Sequence, residues 1–142
     1  MKRLYALILL TLTTPAMAQG AGKQPAPAAG AIGAFTSMTP SPDVRAKQWL
    51  TLVDDKNYTD AYKQMGAAAQ GKAAPAAWAQ KVGTSRDPLD AMASRDIKSI
   101  DLSGQSVTVQ FYSSFAKKAQ ATETVQLVSD KGAWSVVNYT VN

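Results

Sequence analysis

The chain predicts an α+β fold, three helices packed on an antiparallel sheet of about four strands. Two observations carry this. Between Pro42 and Leu89 apolar residues recur at helical spacing, whereas after Leu89 the period changes to two. The helices also come first and the strands follow in an unbroken run, the order of α+β domains rather than of alternating parallel-sheet folds.

Folded structure is expected to begin at Ser41-Pro42-Asp43, with Ser at the N-cap, Pro at the first helical position and Asp complementing the helix dipole. Ala46, Trp49, Leu50 and Val53 then fall on one helical face, and Asp54-Asp55-Lys56-Asn57 breaks the pattern as a solvated turn. A second helix starts near Thr59, with Tyr58, Tyr62, Met65 and Ala69 on one side, and frays across the stretch from Gly66 to Gly71. Pro75 opens a third, carrying Trp78 and Val82, with Gly83 and Pro88 bounding its end.

The strands follow. Ile97 to Leu102 is the first, Ser103-Gly104 a turn, and Ser106 to Tyr112 the second, with Val107, Val109 and Phe111 on one face. Ala121 to Val128 alternates so that Ala121, Glu123, Val125 and Leu127 share a face. After a tight turn at Asp130 to Gly132, Ala133 to Val141 closes the sheet. There Trp134 and Val136 point one way and Val137, Tyr139 and Val141 the other. An antiparallel sheet normally keeps one face polar, so the last strand is expected to be covered from behind by helix, linker or a second subunit.

The N-terminus reads as an export signal. Lys2 and Arg3 precede the apolar run Leu4 to Leu12, and Ala16-Met17-Ala18 is a small-residue cleavage site, placing Gln19 at the start of the mature chain in the periplasm or outside the cell. The apolar run is shorter than the roughly 20 residues a bilayer span needs. Residues 19–42 are rich in Ala, Gly and Pro and are expected to be a disordered linker, leaving 43–142 as a single domain. Lys and Arg number 15 against 10 Asp and Glu, and the expected loss of Lys2 and Arg3 takes the net charge from +5 to +3. These positives are scattered, which argues against nucleic acid as a partner.

An ordered series of short motifs spans about 100 residues from Pro42 onward: Trp49-Leu50-x-Leu52-Val53-Asp54 with Tyr58, then Trp78, then Arg86-x-Pro88-Leu89 and Arg95. Phe115-Ala116-Lys117-Lys118, Glu123-Thr124-Val125, Gly132-x-Trp134-x-Val136 and Tyr139 complete it. Together they resemble the domain-of-unknown-function 4019 family of bacterial exported proteins. The chain departs from that family at Asp90 and Asn138, where Gly is usual. The order of elements is similar to the nuclear transport factor 2-like (cystatin-like) cone, which implies a curved sheet with helices packed into it.

The sequence contains no His and no Cys. The commonest general base and metal ligand are therefore missing, as are thiol nucleophiles and the usual zinc sites. No metal and no cofactor are expected, and Asp54-Asp55 lacks the spaced oxygen ligands of a calcium or magnesium site. Glu123 is the only Glu in the chain and falls on an apolar face, where a carboxylate requires a partner. Arg86 and Arg95 are the natural ones. The trio is expected to be either a structural ion pair between helices and sheet or a polar spot gripping an anionic or amide-bearing ligand. Tyr112, Val137 and Tyr139 are expected behind the sheet as a contact surface, with a homodimer as one use of it. The functional expectation is a non-catalytic module binding a small ligand or an envelope protein. Its alternatives are an accessory acting by protein contact only, or an enzyme using Glu123 with a Tyr or Lys.

Overall fold

The structure, a computed structural model, describes residues 39–142, and the expected signal peptide and most of the expected linker lie outside them. Helix α1, Pro42–Asp54, starts where the Ser-Pro-Asp motif places it. It lies across β2, β3 and β4 of the sheet with Ala46, Trp49, Leu50 and Val53 fully buried. Helix α2 is Tyr58–Lys63, capped by the Asn57 side chain, which accepts from the Asp60 N–H.

Among the described residues four helices form rather than three. The stretch from Gly66 to Gly71 holds a separate short helix, α3 (Ala67–Gln70), because Met65 forms a single parallel bridge with Val136 and interrupts α2. The Gly66 N–H donates to the Val136 carbonyl at 2.8 Å. A Cβ at Gly66 would stand 3.1 Å from Ser135 Cβ, so glycine permits this approach. Helix α4 is Pro75–Arg86, followed by a 3-10 turn over Asp87–Leu89. Gly83 lies inside α4, not at its end. It is buried, and an added Cβ would stand 3.3 Å from Asp87 Oδ2 and 3.4 Å from the Tyr58 ring.

The sheet is β1 (Met92–Ser103), β2 (Ser106–Phe115), β3 (Lys118–Asp130) and β4 (Ala133–Val141), antiparallel throughout in the order β1-β2-β3-β4. Register shifts interrupt all three pairings, and bulges of this kind add twist and bend the sheet. The concave face meets the helices over a core of Trp49, Leu50, Val53, Val107, Val109, Phe111, Val125, Leu127 and Val136. Trp49 anchors it: the indole N–H donates to the Ala61 carbonyl at 2.8 Å, and the ring meets Trp78 and Tyr139 edge-on.

One bulge corrects the reading of β4. Val125 pairs with Tyr139 and Gln126 with Asn138, but Leu127 pairs with Val136, leaving Val137 as the extra residue. Alternation resets there, so Val136 and Tyr139 face the same core. Val137 and Val141 also pack against it. The reverse side of the sheet is polar, with Thr108 beside Gln126 and Gln110 beside Thr124, and the Asn138 amide donating to Gln126. The apolar back face from which a dimer was expected is therefore absent among the described residues.

Asp90 follows the 3-10 turn with φ 66° and ψ −152°, a conformation that is essentially Gly-only. Its exposed carboxylate is held below the usual range by hydrogen bonding to Lys117, 3.3 Å away, and by that residue's charge. Asp90→Gly is expected to raise the thermal midpoint by roughly 3–8 °C, since backbone strain outweighs an exposed ion pair. A lower midpoint in a circular-dichroism melt would mean that the Lys117 pair matters more.

Candidate functional site

Six side chains from six elements converge where α1 and α4 end. Asp54 is the last residue of α1 and Arg86 the last of α4. Each strand adds one group: Arg95 from β1, Ser113 from β2, Glu123 from β3 and Tyr139 from β4. Arg95 lies between the two carboxylates. Its Nη1 and Nη2 donate to Asp54 Oδ2 and Oδ1 at 2.8 and 2.9 Å, a bidentate pair, while its Nε donates to Glu123 Oε2 at 2.7 Å. Arg86 Nη2 also donates to Asp54, and its Nη1 to the Asp90 carbonyl at 3.2 Å. The Arg86 guanidinium stacks 4.0 Å over the Phe115 ring. Its Nε is the one buried side-chain polar atom without a hydrogen-bond partner among the described residues, 3.9 Å from Glu123 Oε1. Ser113 and Tyr139 complete the Glu123 carboxylate, the latter donating to Oε1 at 2.7 Å.

Two guanidinium and two carboxylate groups make the cluster neutral. It is also closed: side-chain exposure is 0% for Glu123, 3% for Arg86, 7% for Arg95 and 15% for Asp54. Burying each ion costs several kcal/mol, and only near-ideal geometry with every remaining lone pair engaged offsets this. Burial lowers the affinity of Arg95 for its proton, but the Asp54 and Glu123 carboxylates outweigh it and raise the net value.

An open cleft lies between α4 and β4, with a volume of about 490 Å³, and Tyr139 belongs to both its lining and the cluster. That falls in the range of roughly 300–1,000 Å³ typical of binding pockets. Trp78 and Val82 of α4, Met65, Ala69 and residues 137–142 line it, and Lys72 and Lys81 supply the charged side chains of this lining. Glu123, Arg86 and Arg95 do not reach it.

The structure thus brings Arg86, Arg95 and Glu123 together, and it adds Asp54 and Ser113, which sequence reading missed. Asp54 is no solvated turn residue, since the helix axis carries it into the cluster while Asp55 stays exposed. Tyr112 stands exposed behind the sheet, with Lys98 Nζ 5.2 Å from its ring centroid. Val137 and Tyr139 are not there: the bulge puts Val137 half-buried against the core and Tyr139 in the cluster. No group of acidic residues able to hold a metal occurs among the described residues.

Two tyrosines give the fold an alkaline limit. Burial and then the Glu123 charge raise the Tyr139 phenol above its ordinary value of 10.0. Burial and then a hydrogen bond to Asp87, at 2.6 Å, raise Tyr58 likewise. The unfolded chain loses these protons first. Stability is therefore complete below pH of about 10 and declines as pH rises beyond it. A melting series is expected to show that decline, with a shallower slope in Tyr139→Phe; equal slopes would contradict the assignment.

The family profile described as Protein of unknown function (DUF4019) matches residues 45–139. A search of curated protein sequences gives no match. Among solved structures, a Campylobacter jejuni protein described as an NTF2-like transpeptidase is similar at 10% identity and a TM-score of 0.54, covering 68% of this chain and 97% of its own. An NTF-2 like protein of unknown function from Silicibacter pomeroyi shares 11% identity over 72% of this chain and 98% of its own, and its TM-score of 0.41 adds no weight. At such identities the likeness concerns the fold alone. The chain belongs to the DUF4019 family and has the NTF2-like cone fold.

Proposed function

We propose that the protein is a non-catalytic binding module of the bacterial cell envelope, with the α4–β4 cleft as its contact surface and the Asp54–Arg86–Arg95–Glu123 cluster as a structural lock. The division between the two places carries this reading. The buried charges of the cluster pair with one another, with Glu123 at 0% exposure, while the cleft is open, largely apolar and basic at Lys72 and Lys81. A carboxylate that accepts from Arg95, Ser113 and Tyr139 and has no exposed surface is not presented to a substrate proton or a ligand amide. An apolar wall with two ammonium groups suits a partner that is apolar and anionic. Export through residues 1–18 supplies the compartment, and mature protein from the periplasm would begin at Gln19 by mass spectrometry.

The anionic apolar dye anilinonaphthalene sulfonate tests the cleft. Ala77 is exposed on the cleft wall, so Ala77→Trp fills the space without disturbing the core. Saturable dye fluorescence is expected from the native protein and its loss from Ala77→Trp. Absence of binding, or equal binding by both proteins, would refute the assignment.

A further inference from the structure

The cleft contains an unfinished sheet edge. Asn142 and Thr122 exchange both N–H···O bonds, each 3.0 Å, across β4 and β3. Antiparallel pairs alternate between bonded and non-bonded positions. Thr140, opposite Thr124, and Asn138, opposite Gln126, are therefore the next bonded positions. Tyr139 and Val141 lie between them and turn their backbone N–H and C=O groups away from β3. On that outer side Val136 is already engaged, by the Met65 bridge and by the Gly66 N–H on its carbonyl. Beyond the Val137 bulge, no backbone bond outside the sheet reaches Tyr139 or Val141 among the described residues. Tyr139 and Val141 line the cleft together with Lys81 and Ser85 of α4.

Exposed edges are normally blunted by charges, Pro or bulges. The opposite edge strand, β1, has two bulges and carries Asp96, Lys98 and Asp101. Tyr139-Thr140-Val141 has none of these devices. One edge is protected against pairing and the other is open to it.

Resting on the cleft as the contact surface, we propose that its occupant is an extended acidic peptide. It adds a short fifth strand along Tyr139–Val141, continuing the row that Met65 begins. Its backbone meets the two N–H and two C=O groups that a compact ligand would leave to water. Its acidic side chains, or a terminal carboxylate, reach Lys72 and Lys81, and its apolar side chains lie on Trp78 and Val82. A second copy of β4 does not fit, because α4 walls the far side and the space of about 490 Å³ admits one strand without a helix behind it.

An array of synthetic hexapeptides built from Val, Ile, Ala, Ser, Asp and Glu, probed with the full chain, tests this. Selected peptides are expected to combine an acid with apolar residues. Binding is expected to slow hydrogen exchange of the Tyr139 and Val141 amides by about tenfold or more. N-methylation of alternate peptide nitrogens removes two hydrogen bonds and is expected to weaken affinity by about tenfold or more. The double variant Lys72→Glu, Lys81→Glu is expected to lose these peptides. Dye binding without any hexapeptide binding would overturn strand addition while leaving the cleft as a binding surface; failure of both would overturn both. Insensitivity to N-methylation would also refute the proposal.

Discussion

Glu123→Gln is expected to destabilise the fold by about 3–5 kcal/mol, the cost of leaving a buried charge without its partner. The substitution preserves shape, so the loss is electrostatic. Asp54 would then face two guanidinium groups alone, and the amide N–H₂ of Gln would confront a donor from Arg95 or Tyr139. Domains of this size are stable by about 5–15 kcal/mol, so the change consumes much of the total. A chemical-denaturation curve measures it, and an unchanged midpoint would remove the structural role assigned to the cluster.

Arg95→Met is expected to cost about as much, because Arg95 hydrogen-bonds to both carboxylates. The informative case is the pair. Arg95→Met with Glu123→Leu removes opposite charges together and leaves Asp54 with Arg86 as a neutral pair. The double variant is expected to lose several kcal/mol less than the sum of the single losses. Additive losses would mean that each side chain acts through packing alone.

Much of this arrangement was legible in the sequence. Ala46, Trp49, Leu50 and Val53 marked the buried face of α1, and alternation placed Glu123 among Val125 and Leu127 inside the sheet. Asp54 was misread because Asp55-Lys56-Asn57 dominates its neighbourhood, yet Ala46, Leu50 and Asp54 form an i, i+4, i+8 row that points into the core. Ser113 had the same kind of signal, continuing the inward series Val107, Val109, Phe111. Tyr139 was hidden for a different reason. A bulge shifts phase without any marker residue, so a strand with two apolar phases reads as two apolar faces. The interruption of α2 at Met65 depends on a contact with Val136 some 70 positions along the chain, which local spacing does not encode.

The division between a sealed cluster and an open cleft is tested most directly by amide chemical-shift mapping on isotope-labelled protein titrated with anilinonaphthalene sulfonate. Shifts are expected along Ala77 to Ser85 and Val137 to Val141, with Arg95 and Ser113 unmoved. Shifts centred on Arg86, Arg95 and Glu123, with the cleft silent, would contradict the account.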